Sequence, residues 1–298
     1  MDPLLIGAYV FAILFEIGMP IALALFIRWR WGVPWRYFFY GALIFFLFQL
    51  ITRVPAVQLI QLALADQLQQ SEAFQWGWLF VLALTAGLFE EIGRYLGYRY
   101  LVFGKSRSEV SDQLSAFSHQ PSAVSDQLLE LRTQNSEHRT SDSPLTVWKK
   151  GVMYGLGHGG LESILLVGGL VLLSFINALV LTRMDPSTIA ALPPDQAEQV
   201  RQAQAIFENL PWWTPLLGAV ERLFTVIVQI AFSILVLQAF VRNSLMWLYL
   251  AIAAHFLVDL IAVSSVRFVG AVGAEVVIGV FALAALYLIF RLKPKPAT

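Results

Sequence analysis

Seven separate stretches of the sequence are each long and apolar enough to cross a lipid bilayer, and no other feature restricts the fold so severely. A spanning helix needs about 20 mostly apolar residues. By that ruler the segments run Leu4 to Ile27, Tyr37 to Ala63, Trp76 to Phe103, Val147 to Leu181, Trp213 to Val241, Leu245 to Val263 and Phe268 to Phe290. Hydrocarbon offers backbone groups no partner, so every N–H and C=O inside it must be satisfied by the chain itself. Uninterrupted runs of this length do so as helices. The sequence therefore predicts an all-α, polytopic transmembrane bundle of about seven spans, with residues 1–298 forming one membrane domain. Charge agrees: 13% of the residues are charged and 58% hydrophobic, against about a quarter charged in a soluble domain.

Orientation follows from Lys and Arg, because positively charged connections stay cytoplasmic. With the N-terminus outside, the cytoplasmic set is Arg28, Arg30, Arg36, Lys105, Arg107, Arg132, Arg139, Lys149, Lys150, Arg242, Arg291, Lys293 and Lys295, against Arg183, Arg201 and Arg267 on the other side. The bias predicts an outside N-terminus and a cytoplasmic C-terminus. Met1-Asp2-Pro3 supplies no basic region ahead of the first apolar run, so that run reads as a mature span and not a signal peptide. Two connections have their own character. Residues 104–146, rich in Ser, Gln and charge, read as a flexible cytoplasmic insertion, with Val110 to Leu114 repeated as Val124 to Leu128. Residues 182–211 form an outer loop in which Asp195 and Glu198 have the spacing of a capping box starting a short helix.

Net charge is zero and no basic patch stands out, which leaves no argument for a nucleic-acid partner. The sequence has no cysteine, which excludes disulfides, thiol catalysis and thiolate metal sites. Any metal would rest on His and carboxylate ligands. The partners implied are the lipid bilayer and a peptide or protein within it.

Ionisable groups inside spans cost about 2.5 to 3.5 kcal/mol each on insertion scales, so they face the bundle interior and mark function or internal pairing. The third span holds Glu90-Glu91-Ile92-Gly93-Arg94, the fourth Gly157-His158-Gly159-Gly160-Leu161-Glu162, the fifth Glu221-Arg222 with Gln229, and the sixth His255 with Asp259. Residues four apart share a helix face. Glu90 with Arg94, His158 with Glu162 and His255 with Asp259 are thus same-face pairs, and a carboxylate one turn from an imidazole can orient it. Glu90, His158, Gln229 and His255 also fall at one depth, roughly 15 to 20 Å from the cytoplasmic surface at 1.5 Å per residue. That depth points to access from the inner leaflet, while Glu221 and Arg222, about two turns farther out, leave an approach from the other side open.

Two chemistries suit such a cluster. A Glu can take a proton from a water attacking a carbonyl while His side chains position the water or stabilise the oxyanion. Alternatively His158, His255 and a Glu, with Glu90 placed for it, can hold Zn²⁺ with water in the fourth position. Both hydrolyse a peptide bond, and the sequence is equally compatible with either. A proton-coupled transporter is the competing class, since buried Glu, His and Asp also build proton relays. No pair of inverted halves with matching broken segments accompanies them.

The arrangement resembles the YhfC family of membrane peptidases, and more broadly the clan of CAAX-prenyl endopeptidases and bacteriocin-processing enzymes. The carriers are Glu90 to Arg94, Gly157 to Glu162, Glu221-Arg222, and His255 with Asp259, and the likeness spans nearly the whole chain outside residues 104–146. It implies an intramembrane endopeptidase of a bacterial plasma membrane, either glutamic or metal-dependent. By motif Glu90 is the base, His158 and His255 are the water and oxyanion partners, and Asp259 stands beside the last His. The clan pattern puts three residues between its Glu pair and Arg, whereas two separate Glu91 from Arg94. Glu91 is therefore a rival base, since Glu90 is the one placed four residues from Arg94.

The remaining features have plainer readings. Arg94 and Arg222 adjoin carboxylates and read equally as structural ion pairs. Gly157, Gly159 and Gly160 read as close helix packing, and Arg53 with Pro55 as a kink with a paired or snorkelling Arg. His119, His138, Asp112 and Asp126 belong to the solvated insertion.

Overall fold

The computed structural model describes residues 2–104 and 142–295. Among these residues there are helices and no strand, and six helices are long and apolar enough to cross a membrane: α1 (Pro3–Trp31), α2 (Arg36–Ala63), α3 (Glu72–Val102), α4 (Pro144–Leu181), α5 (Thr214–Val241) and α6 (Met246–Arg291). Their starts follow local chemistry. The Asp2 carboxylate accepts from the Leu4 amide with Pro3 in the first turn, and Ser71 and Ser143 do the same for Phe74 and Thr146. At the end of α1, Gly32 adopts φ 69° and returns its amide to the Arg28 carbonyl.

Seven apolar segments become six continuous helices because the last two are merged. At 1.5 Å per residue the 46 residues of α6 would reach about 70 Å, roughly twice the bilayer's hydrocarbon core. They do not run straight. Gly270 breaks the helix with φ 71° and ψ 177°, a conformation open essentially to glycine. Before the break, Phe268 stacks on Trp76 and Arg267 donates to Gln75. Beyond it, the Ile289 carbonyl accepts from the Trp148 indole at the opposite end of the bundle. The chain therefore turns back at Gly270, and residues 246–269 and 271–291 are successive traverses, seven in all.

These contacts name the two ends of the bundle. The Trp148 end carries the last turns of α1, α3 and α5 and the first turns of α2 and α4, as shown by Trp31 against Trp148 and Lys150 over Tyr37. The opposite end is marked by Trp76. Packing centres on α4 and α5. A Cβ on Gly157 would stand 1.9 Å from the Phe38 carbonyl oxygen, and one on Gly41 1.9 Å from that of Tyr154, so α2 and α4 touch backbone to backbone. Gly155 and Gly159 similarly admit Ser233 and Gln229 of α5. The packing reading of Gly157 and Gly159 thus holds, and Gly160 packs against Pro20 and Phe38.

Three π-helical segments interrupt the regular pitch: Phe46–Arg53 in α2, Tyr98–Val102 in α3 and Glu162–Gly168 in α4. At the expected kink of Arg53 and Pro55, α2 takes π pitch just before the proline, whose missing N–H cannot close an ordinary turn. The loop after α4 holds two short helices, Pro186–Ala190 and Pro194–Glu208. The second begins at Pro194 with no side-chain cap. The expected capping box of Asp195 and Glu198 does not form, because the helix starts ahead of Asp195, with Pro193 at the cap position offering no side-chain oxygen and Asp195 already inside the first turn. Helix α4 starts at Pro144 and takes in the last three residues of the expected insertion. Residues 105–141, with His119, His138, Asp112, Asp126 and the repeat, lie outside the described residues.

Candidate active site

Four helices deliver buried polar side chains to one level, as their depths in the sequence require. Glu90, Glu91 and Arg94 come from α3, His158 from α4, Gln229 from α5 and His255 from α6, each at most 6% exposed. Glu90 Oε2 lies 2.9 Å from His158 Nε2 and 4.0 Å from His255 Nε2. His158 Nε2 is hydrogen-bonded to that oxygen and His255 Nε2 stands beyond hydrogen-bonding distance of it, so the separation of the two nitrogens cannot exceed the sum of those distances. Glu91 points elsewhere. Its Oε1 receives Arg94 and lies 2.6 Å from His255 Nδ1. A ring N–H at Nδ1 leaves the Nε2 lone pair of His255 directed toward Glu90. Asp259 Oδ2 stands 3.5 Å from the same Nε2. Phe232 stacks on the His255 ring at 4.6 Å and Phe45 meets His158 edge-on at 5.1 Å, which fixes both planes.

Arg94 gathers the cluster. It donates to Glu91, to Glu90 at 3.3 Å and to the Gln229 side-chain oxygen. The Gln229 amide in turn donates to Glu162 at 2.8 Å and approaches Glu90 at 3.4 Å. Here one expectation fails. Glu162 does not orient His158 but accepts from Arg222 at 2.9 Å, while Arg222 also pairs with Glu221. The reason lies in α4, which changes to π pitch at Glu162 and swings that carboxylate toward α5. His158 Nδ1 consequently has no partner among the described residues.

A cavity of about 200 Å³ adjoins the cluster, with Glu90, His255, Asp259, Gln229 and Glu162 in its wall. Its other lining residues are Leu79, Leu82, Ala83 and Ala86 of α3, Val263 of α6, and Gln49 and Arg53 of α2. Those of α3 and α6 lie on the Trp76 side of Glu90 or His255 along the helix, and Arg53 bonds to Leu82 and Thr85 on that same side. On the Trp148 side the space is filled: Tyr98 stacks on Tyr154 at 4.5 Å and Tyr95 on Phe240 at 4.8 Å. The cavity therefore extends from the cluster toward the Trp76 end of the bundle.

The description of the YhfC intramembrane metalloprotease family matches residues 13–118 and 140–282. The chain belongs to the YhfC family. An uncharacterised membrane protein of Bacillus subtilis (strain 168), YhfC, is 28% identical over 281 residues, covering 92% of this chain and 91% of its own. No solved structure matches.

The family's description implies a metal, so the donors must be of the right kind. They are. His158 Nε2, His255 Nε2 and the Glu90 carboxylate converge, and Glu91 on His255 Nδ1 is the carboxylate partner that metal-bound imidazoles usually carry. Among the described residues no three His, Asp or Glu donors stand close enough to grip an ion as they are; Glu90 Oε2 is hydrogen-bonded to His158 and lies 4.0 Å from His255 Nε2, so the donor types suit a metal while their present spacing does not yet enclose one.

Four polar residues of the YhfC fold escape a reading by sequence motif. Gln49 and Arg53 line the cavity, four residues apart on the π segment of α2. Glu16 of α1 is fully buried with neither carboxylate oxygen partnered among the described residues, and Glu275 of α6 has one such oxygen. A lone Glu within an apolar run was the available signal for the last two.

Proposed function

We propose that this YhfC-family protein is an intramembrane endopeptidase in which Glu90 is the general base. The observation that carries the reading is the approach of two imidazole Nε2 atoms to one buried carboxylate oxygen, at 2.9 Å and 4.0 Å, in the wall of a cavity between the helices. Glu91 is tied to Arg94 and His255 Nδ1, whereas Glu90 faces the cavity. That difference in surroundings favours Glu90 over its neighbour.

In this mechanism Glu90 takes a proton from water as the water oxygen attacks the scissile carbonyl carbon. His158 donates through Nε2 to Glu90 or to the developing oxyanion, and His255, oriented by Glu91 and Asp259, holds the attacking water. Glu90 then returns the proton to the amide nitrogen as the C–N bond breaks, giving a carboxylic acid and an amine. Arg94 and Gln229 are positioning residues that fix the Glu90 carboxylate. A divalent ion held by His158, His255 and Glu90, with Asp259 adjacent, would polarise the carbonyl and acidify its bound water. A substrate helix must unwind locally to present its bond, since the bilayer tolerates no unpaired backbone. The setting is a bacterial plasma membrane with the N-terminus outside, and residues 104–146 are a cytoplasmic insertion in the peptidase domain.

The test is cleavage of candidate membrane peptides by purified protein, with metal content measured, for wild type and Glu90→Ala, His158→Ala and His255→Ala. Loss of cleavage in all three, with folding intact, is expected. Chelator sensitivity with stoichiometric zinc would establish the metal route, and full activity without metal the glutamate route. Wild-type cleavage by every variant would remove the site, and proton-coupled flux without cleavage would make the protein a transporter.

A further inference from the structure

Arg53 is the one arginine or lysine lining the cavity among the described residues, and its bonding differs from that of the other arginines deep in the bundle. Arg94 and Arg222 each pair with two carboxylates. Arg53 makes no ion pair among the described residues. It donates to three neutral oxygens: Thr85 Oγ1 at 3.2 Å, Gln49 Oε1 at 3.2 Å and the Leu82 carbonyl at 2.6 Å. Glu90 and Asp259, which share the cavity wall, are already engaged by Arg94 and the two histidines. A guanidinium inside a span without a counter-ion is costly. Here the neutral partners hold its orientation while leaving its charge directed at the cavity. Gln49 and Arg53, four residues apart, share the face of α2 that lines that wall, within the π segment Phe46–Arg53.

We propose that Arg53 is a specificity-determining residue that anchors a carboxylate of the substrate on the Trp76 side of the scissile bond. Its bonds to Leu82 and Thr85 put it eight and five residues before Glu90 on α3, roughly 8 to 12 Å along the axis. An unwound strand advances about 3.3 Å per residue. The anchored group is therefore an Asp or Glu side chain, or a chain-terminal carboxylate, about two to four residues from the bond cut. Arginine suits the task because its planar fork can bind a carboxylate through two nitrogens.

The proposal rests on the peptidase reading for its kinetic arm and stands apart from it in a binding arm. Full-length protein in lipid nanodiscs is given single-span Leu/Ala peptides with Glu or Gln scanned through successive positions. Cleavage is followed with wild type, and binding with Glu90→Gln protein. At one short window of positions the Glu peptide should bind, and show a KM lower, by about tenfold, the scale of one charge-assisted hydrogen bond. In Arg53→Gln the two peptides should become equal, and Arg53→Lys should restore part of the preference. A Glu-to-Gln ratio that is flat in wild type, or that survives in Arg53→Gln, overturns the proposal, as does equal weakening of both peptides with the ratio intact. Preferential binding with no cleavage of any peptide would leave the anchor standing and remove the peptidase reading.

Discussion

Replacing each member of the adjacent glutamate pair by glutamine should separate catalysis from stability. Glu91 is fully buried and is held by Arg94 and by His255 Nδ1. Glu91→Gln leaves the buried Arg94 guanidinium with Glu90 at 3.3 Å as its remaining anion. Removing one member of a buried ion pair typically costs about 3 to 5 kcal/mol, because the other charge stays desolvated. Glu90→Gln is milder for the fold. Arg94 keeps Glu91, and the glutamine oxygen can still accept from His158, so about 1 kcal/mol is at stake. Its effect on cleavage should be the larger, a loss of roughly 10²- to 10⁴-fold for a missing general base. The assay pairs reversible unfolding in mixed micelles with initial cleavage rates at saturating peptide. The expected result is a Glu91→Gln protein markedly less stable than Glu90→Gln, with the order of residual activity reversed. A Glu91→Gln protein as stable as wild type, or a Glu90→Gln protein that cleaves normally, refutes the division of roles.

Gly157→Ala would place a methyl 1.9 Å from the Phe38 carbonyl oxygen, so α2 and α4 must separate and about 1 to 3 kcal/mol is lost; Gly7→Ala, with nothing within 4 Å, is the neutral control in the same unfolding measurement. Outside the spans, hydrogen bonds from Ser187 and Thr188 hold the Asp185 carboxyl well below the usual aspartate range. A depressed folded value stabilises above the unfolded one, so protection of the Thr188 amide from hydrogen exchange should persist from neutrality down to about pH 4, be lost only in stronger acid, and be absent at every pH in Asp185→Ala. Since the chain has no cysteine, single introduced cysteines report topology directly. One at Ser187 should react with an impermeant reagent in intact cells and one at Asp142 only after permeabilisation, and the reverse pattern would invert the orientation.

What the sequence determined by itself is what helix geometry and hydrophobicity make local. A helix satisfies its own backbone, so apolar length marks the crossings without reference to any neighbour. Rise and pitch are nearly fixed, so counting residues from the ends places Glu90, His158, Gln229 and His255 at one depth before any contact is known. Rotation and lateral order of the helices are set by close packing between segments far apart in the chain, and there the tertiary structure decided. It directed Glu91 to Arg94 and His255 while Glu90 met both imidazoles, a choice that two adjacent identical residues cannot encode. The π turn at Glu162 gave that carboxylate to Arg222 instead of His158. The turn at Gly270, which merges two apolar segments into one helix folded on itself, likewise depends on a departure from regular pitch, while the entry of Arg53 and Gln49 into the cavity depends on how α2 packs against α3. Such departures are stabilised by neighbouring helices, and a period of 3.6 read along one segment carries no trace of them.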